Sequence, residues 1–218
     1  ATLGAGLTHD VNNLIGAAKG YTELIQYDVH DGTGAAIEDL DKVHEALTKA
    51  GDMTRQLMGF ARQGAAVAKV LDLNHQLADL RPLLAILVPK GIALEVVEGK
   101  DGVMVQADPA QIDQLVVNLV SNAKDAISQK GRIRLSAKIL DPDWASMEVS
   151  DNGSGMPPEV IAKIFDPFFT TKELGRGTGL GLSSVRTVVE GLGGRLEVES
   201  LLGAGTTMRV LLPRVASG

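Results

Sequence analysis

Apolar residues in the first third of the chain recur at alternating spacings of four and three. Leu7, Val11, Leu14, Ala18, Tyr21 and Ile25 form one such seam; Leu40, Val43, Leu47, Ala50, Thr54, Leu57 and Ala61 form a second. Positions spaced this way share one face of a helix, so the pattern predicts two long amphipathic helices. His30-Asp31-Gly32-Thr33-Gly34 between them is turn-forming text, which makes the pair an antiparallel hairpin. Such a hairpin leaves part of its seam uncovered, and a second copy of the chain buries it economically as a four-helix bundle. A plain coiled coil or spacer shares the same periodicity. Gly4, Gly6, Gly16 and Gly20 lower the propensity of the first helix, so packing has to hold it.

The heptad text stops between Gly64 and Lys69, where Ala65 and Ala66 read as a linker. This predicts two domains, residues 1–66 and 67–218. Beyond the linker, β-like runs (Ile92 to Val97, Ile133 to Ile139, Met147 to Ser150, Arg195 to Glu199, Thr207 to Leu212) alternate with helical stretches. The helices expected are Asn74 to Leu87, Pro109 to Ser128, Pro158 to Ile164 and Leu182 to Leu192. The fold class is therefore α+β: a helical hairpin, then an α/β sandwich with helices layered on one face of a sheet.

Composition narrows the function. A length of 218 residues suits a small domain plus a medium one, and 44% hydrophobic residues exclude wholesale disorder. Aromatic residues at 3% and a net charge of −6 argue against nucleic acid as a partner, which needs stacking platforms and positive charge. The absence of cysteine excludes disulfides, a thiolate metal site and a cysteine nucleophile, and it fits a reducing, cytoplasmic setting. No apolar run approaches the roughly 20 residues of a membrane-spanning helix, and no signal-peptide pattern is present. The chain opens on Ala1-Thr2-Leu3 without an initiator methionine; it is expected to be a fragment that itself makes no membrane contact.

Four glycine or amide clusters in the second domain carry candidate chemistry. In Asn118-Leu119-Val120-Ser121-Asn122-Ala123-Lys124-Asp125-Ala126, the residues Asn118, Asn122 and Asp125 fall on one helix face, with Val117, Leu119, Val120 and Ala123 opposite. An amide oxygen is a neutral hard ligand, suited to a Mg²⁺ ion that already carries phosphate oxygens. Asp151-Asn152-Gly153-Ser154-Gly155 follows a β-like run. A carboxylate there can accept a hydrogen bond from an amino group, and the glycines let a flat ring approach the backbone. Gly175-Arg176-Gly177-Thr178-Gly179-Leu180-Gly181-Leu182 opens a helix, and backbone N–H groups at such a start cradle anions. Gly203-Ala204-Gly205-Thr206-Thr207 reads as a turn with a possible binding edge at Thr206. Between the second and third clusters, Phe165-Asp166-Pro167-Phe168-Phe169-Thr170-Thr171-Lys172 holds three of the four phenylalanines. These could anchor a flap running from about Thr170 to Thr178, with Lys172 reaching a phosphate.

In this order the clusters resemble the catalytic, ATP-binding domain of histidine kinases, within the gyrase–Hsp90–histidine kinase–MutL superfamily. The first is similar to the family's N box and the second to its first G box. Phe165 to Lys172 is similar to the F box, and Gly175 to Gly181 to the second G box. The resemblance runs from Leu71 to Pro213. It implies ATP and Mg²⁺ as cofactors, with Asn122 holding the metal and Asp151 reading adenine. The remaining nucleotide contacts it implies are Asn118, Lys124, Asp125, Gly153, Gly155, Phe168, Thr170, Thr171, Lys172, Gly175, Gly177, Thr178, Gly179, Leu180, Gly181 and Thr206. Hydrolysing relatives carry a glutamate one turn before the metal asparagine. This chain has Asn118 there, and an amide cannot act as a general base.

An acceptor other than water is then required, and Leu7-Thr8-His9-Asp10-Val11-Asn12-Asn13-Leu14 offers one. At about 100° per residue, His9 lies about 200° round from Leu7, away from the seam and toward solvent. Neutral imidazole is nucleophilic, and its ordinary pKa of about 6.5 keeps it largely neutral near pH 7. Asp10 could hold the proton on one ring nitrogen, and Asn13, one turn on, could position a water for dephosphorylation. The segment resembles the H box of the dimerisation and phosphotransfer domain, in its His-Asp-x-Asn-Asn variant. It departs from the commoner pattern at Asn12 and Leu14, where arginine and proline are frequent. His30, His44 and His75 have no comparable company and read as surface residues. The resemblance implies a homodimeric sensor histidine kinase core that phosphorylates His9, passes the group to a receiver-domain aspartate of a response regulator, and can also act as phosphatase of that receiver. The alternatives are an ATP-hydrolysing conformational clamp and a phosphotransfer or docking module without ATP turnover.

Overall fold

The computed structural model describes residues 68–97, 99, 101–172 and 178–215, together with residues 22, 25 and 43. Thr22, Ile25 and Val43 are helical; the rest of the expected hairpin lies outside the described residues. The chain divides into two compact units, Ala1–Ala66 and Val67–Gly218.

In chain order the second unit runs β1 (Lys69–Asp72), α1 (Leu73–Leu87), β2 (Ile92–Val97), β3 (Met104–Ala107), α2 (Pro109–Asp125), β4 (Gly131–Ile139), β5 (Trp144–Asp151), α3 (Pro158–Ile161), α4 (Gly181–Gly191), β6 (Arg195–Leu201) and β7 (Gly205–Pro213). Five strands make one sheet in the order β2-β4-β5-β7-β6, while β1 and β3 form a separate two-stranded ribbon. Only β2 and β4 run parallel; the other neighbours are antiparallel.

Alternation along the strands decides which face is covered. Ala145, Met147 and Val149 of β5 pair with Leu212, Val210 and Met208 of β7 and with Ile139, Ala137 and Leu135 of β4. These residues join one core with Leu73, Leu77 and Leu84 of α1, Ile112, Val116 and Leu119 of α2, and Val185 and Val189 of α4. The opposite face is polar. There Glu148 accepts from Lys138 Nζ at 2.8 Å and Arg209 Nε at 3.0 Å, and Arg209 also reaches Glu197 at 2.9 Å. Burial alone would raise the Glu148 carboxyl, but these two hydrogen bonds outweigh it and hold the pKa below the ordinary value.

Helix starts follow their caps. Asp72 accepts from Asn74 N at 2.9 Å and from Val103 N at 3.0 Å, so one carboxylate both caps α1 and fixes the approach to β3. Asp108 caps α2 from Ala110 N at 2.9 Å, with Pro109 at the first helical position. Several expectations shift by a few residues. Val117 is half-buried and Val116 takes the core position, because the buried stripe runs through Ile112, Val116, Leu119 and Ala123. α2 stops at Asp125 rather than Ser128, since Ala126 O accepts from Ser154 N at 2.9 Å in the loop after β5. α3 is a single turn, and β1 and β3, each four residues long, are too short to show alternation. Among the described residues no helix is long and apolar enough to cross a membrane.

Candidate functional site

The C-terminal half of α2, the loop after β5, the first turn of α4 and the start of β7 meet at one end of the sheet. Asp151, the last residue of β5, is half-buried opposite Thr206 of β7 and Ile133 of β4. Its Oδ1 accepts from Gly153 N at 2.8 Å, and a backbone hydrogen bond from Thr206 also reaches the carboxylate. Burial raises the Asp151 pKa above the ordinary carboxylate value, and these two bonds offset it only in part. The carboxylate is thus fixed in place with accepting capacity to spare. A cavity of about 290 Å³ opens beside it, lined by Asp151, Ser200, Gly205 and Thr206 among others.

Ser200, which the sequence reading passed over, organises this corner. Its Oγ accepts from Met156 N at 2.8 Å, donates to Gly205 O at 3.1 Å and lies 2.8 Å from Thr206 Oγ1. One hydroxyl on β6 therefore ties the loop after β5 to the start of β7, the strand paired with Asp151. Only the strand register reveals it; nothing in the text around Ser200 marks it.

The glycines after Asp151 are needed for close approach. Gly153 leaves no room for a side chain, since an added Cβ would stand 2.5 Å from Ala126 O. Gly155 has φ +64°, and a Cβ there would meet the Leu201 carbonyl oxygen at 2.0 Å. Gly155→Ala is expected to destabilise the chain by about 2–4 kcal/mol, combining left-handed strain with overpacking against backbone. The thermal midpoint should fall by about 5–10 °C. Gly191→Ala, where nothing lies within 4 Å, should move it little; equal melting of the two variants would contradict the steric account.

On α2, Asn118, Asn122 and Asp125 do share a face. Asn118 accepts from Gln114 Nε2 at 3.0 Å through Oδ1 and donates to Gly181 O at 3.5 Å through Nδ2. Both ends of its amide are engaged, and it bridges α2 to the first residue of α4. Gln114 was also missed, although its i,i+4 spacing to Asn118 was a usable signal. Asn122 is half-buried, and no hydrogen bond of its side chain is found among the described residues. Its Nδ2 stands 3.7 Å from where a Gly181 Cβ would be. Among the described residues no group of three His, Cys, Asp or Glu side chains could hold a metal. A cation here fits only if phosphate and water supply most of its ligands, with one neutral amide from the protein; that is the coordination habit of Mg²⁺.

α4 begins without a side-chain cap at Leu180, which leaves its first N–H groups open to water or to an anion. Thr178 Oγ1 accepts from Leu180 N at 3.4 Å, and Leu180 itself is buried. Gly179, at φ +63°, lies so close to the Phe168 backbone that a Cβ would stand 2.3 Å from its carbonyl carbon. Phe168 N donates to Gly179 O at 2.9 Å, and Phe168 takes a φ of 68°, the one positive value among described non-glycine residues. Of the three clustered phenylalanines, Phe165 and Phe169 pack on the core, whereas Phe168 is 62% exposed. Anchoring thus falls to two of them. Thr170 and Thr171 are on the surface, with Thr170 Oγ1 accepting from Lys172 N at 3.2 Å. Lys172 Nζ donates to Asp125 Oδ2 at 2.6 Å, and Lys124 Nζ lies 3.5 Å from Asp125 Oδ1. His75 is a surface residue, as expected, 3.8 Å from Asp72. His9, Asp10, Asn13, Gly175 and Gly177 lie outside the described residues.

A family model described as "Histidine kinase-, DNA gyrase B-, and HSP90-like ATPase" matches residues 107–216. Over 98% of its length the chain is 38% identical to the sensor kinase CckA of Brucella abortus, of which it covers 24%. It is 33% identical over 97% of its length to the sensor protein FixL of Bradyrhizobium diazoefficiens, covering 43% of that protein. The chain therefore spans less than half the length of these curated relatives. Among solved structures, a mycobacterial sensor histidine kinase, MprB, superposes with a TM-score of 0.59 at 27% identity, covering 68% of this chain and 98% of that one.

Proposed function

Since the chain belongs to the histidine kinase-, DNA gyrase B- and HSP90-like ATPase family, we propose that it is the kinase core of a sensor histidine kinase, transferring the γ-phosphoryl group of ATP to His9. The observation that carries this reading is Asn118. It stands where a hydrolysing relative needs a carboxylate, and its amide is engaged at both ends by Gln114 and Gly181. No base is available one turn before Asn122 to activate water, so bound ATP is kept for another nucleophile.

The chain's own groups divide the work. Asp151 accepts a hydrogen bond from the adenine amino group, while Gly153 and Gly155, whose open sides are filled by the Ala126 and Leu201 carbonyls rather than left for a ring, hold the loop beside it. The uncapped first turn of α4, from Gly181, offers N–H groups to the phosphates, and Lys124 and Lys172 supply positive charge around Asp125, one turn beyond Asn122. Asn122 would hold Mg²⁺, which neutralises phosphate charge when bound. Catalysis then rests on positioning and charge neutralisation rather than on covalent chemistry by the second unit. In the first unit, Asp10 orients the His9 imidazole, and Asn13 serves the reverse, dephosphorylating step. The phosphorylated His9 passes its group to an aspartate of a response-regulator receiver domain, and the chain works as a homodimer in the cytoplasm.

Incubation with γ-labelled ATP tests the reading. Labelled protein whose label is lost in acid and kept in base is the mark of a phosphoramidate and is the expected result. Released phosphate without labelled protein would instead indicate an ATP-hydrolysing clamp. Absence of both, together with absence of nucleotide binding, would leave a docking module.

A further inference from the structure

Asp125 is an odd residue to find beside a polyphosphate site, because its charge repels the ligand. What surrounds it removes the oddity. Lys172 Nζ donates to its Oδ2 at 2.6 Å, and Lys124 Nζ lies 3.5 Å from its Oδ1. The side chains of Lys124, Asp125 and Lys172 are 26%, 31% and 34% exposed, so water screens them incompletely. One carboxylate between two ammonium groups leaves a net charge of +1 on the same helix face as Asn122. Without that carboxylate, two flexible lysine stems carrying like charge would relax apart into solvent. As a contribution to folding, a partly exposed pair of this kind is small.

We propose that Asp125 is a positioning residue: it gathers Lys124, on α2, and Lys172, on the segment before α4, into a two-cation clamp for the triphosphate tail. This rests on the reading of the site as an ATP site and sharpens it. Asp125 acts through the lysines and makes no contact of its own with phosphate. The clamp is a net positive charge one helical turn beyond Asn122 on α2, so it discriminates by the negative charge of the phosphate chain and not by the base.

Titration calorimetry of the whole chain with ATP and with AMP separates this role from a merely structural one. Asp125→Asn should weaken ATP binding by about tenfold, the scale of one charge-assisted contact, and change AMP binding by less than about twofold. Lys172→Ala should behave the same way, and Lys172→Arg should keep most of the ATP preference. Exchanging the partners, Asp125→Lys with Lys172→Asp, restores an ion pair but puts the carboxylate on the wrong side; ATP affinity should stay low. Rescue by the exchanged pair would overturn the proposal in favour of a simple tether. So would equal losses for ATP and AMP, or an Asp125→Asn chain that binds ATP as well as the parent. A parent chain that binds neither nucleotide would sink the ATP reading itself, and this inference with it.

Discussion

His9→Ala is expected to abolish labelling of the protein by γ-labelled ATP, a loss of at least about 100-fold, as removal of a nucleophile normally gives. ATP affinity, measured on the same variant, should stay within about twofold, because additive behaviour is expected of sites that share no partners. His9 belongs to the Ala1–Ala66 unit, whereas the residues assigned to nucleotide belong to Val67–Gly218. The chemistry explains why no neighbour substitutes. Near pH 7 an ordinary imidazole is mostly neutral and offers a lone pair to phosphorus, which an ammonium group lacks. His75→Ala is the control: that side chain is 87% exposed, beside Asp72 on the second unit, and its loss should leave labelling unchanged. Persistent label in His9→Ala would move the acceptor elsewhere. Loss of ATP binding would break the division of labour between the two units.

Much of this site was legible in the sequence because its chemistry needs residue types that are rare in that order. Asn118, Asn122 and Asp125 could be placed on one face from helical spacing alone, and the structure keeps them there. Asp151 at a strand end followed from the apolar alternation before it. What escaped was whatever depends on pairing between distant segments. Ser200 reads as an ordinary strand residue until the β6–β7 register sets it against Thr206. The tie between Lys172 and Asp125 spans 47 positions, and no local pattern encodes it. The exposure of Phe168 was also invisible, since three phenylalanines close together look like three anchors; a left-handed backbone at the middle one, φ 68°, turns it outward. The fold shows the same division. In the second unit α1, α2 and the alternating strands were readable, whereas the end of α2 was set by the Ser154 to Ala126 hydrogen bond from another segment.

Asp151→Ala is expected to remove nucleotide binding, weakening ATP and AMP alike by about 30- to 1,000-fold, the equivalent of about 2–4 kcal/mol. Two costs add. The adenine amino group loses a charged acceptor, and the Gly153 and Thr206 N–H groups that now satisfy the carboxylate are left facing a cavity. Asp151→Asn keeps an accepting oxygen for those donors and should fall between the two. The pH profile identifies the group responsible. Burial raises the Asp151 pKa above the ordinary carboxylate value, so its protonation begins at higher pH than for an exposed aspartate. Nucleotide affinity should fall as pH is lowered through that raised value, and the fall should vanish in Asp151→Asn. Stability moves in the opposite direction. A carboxyl whose folded pKa is raised binds its proton more tightly in the folded state. Its contribution is most favourable below the ordinary carboxylate value and is lost as pH rises through the raised one. At neutral pH, therefore, the parent chain holds a half-buried charge whose desolvation its two hydrogen bonds offset only in part. Asp151→Asn should melt no lower than the parent at pH 7 without nucleotide, and the difference should close in acid. A variant that binds poorly because it is unfolded would melt lower instead. An isotherm for Asp151→Ala matching the parent's would sink the adenine assignment.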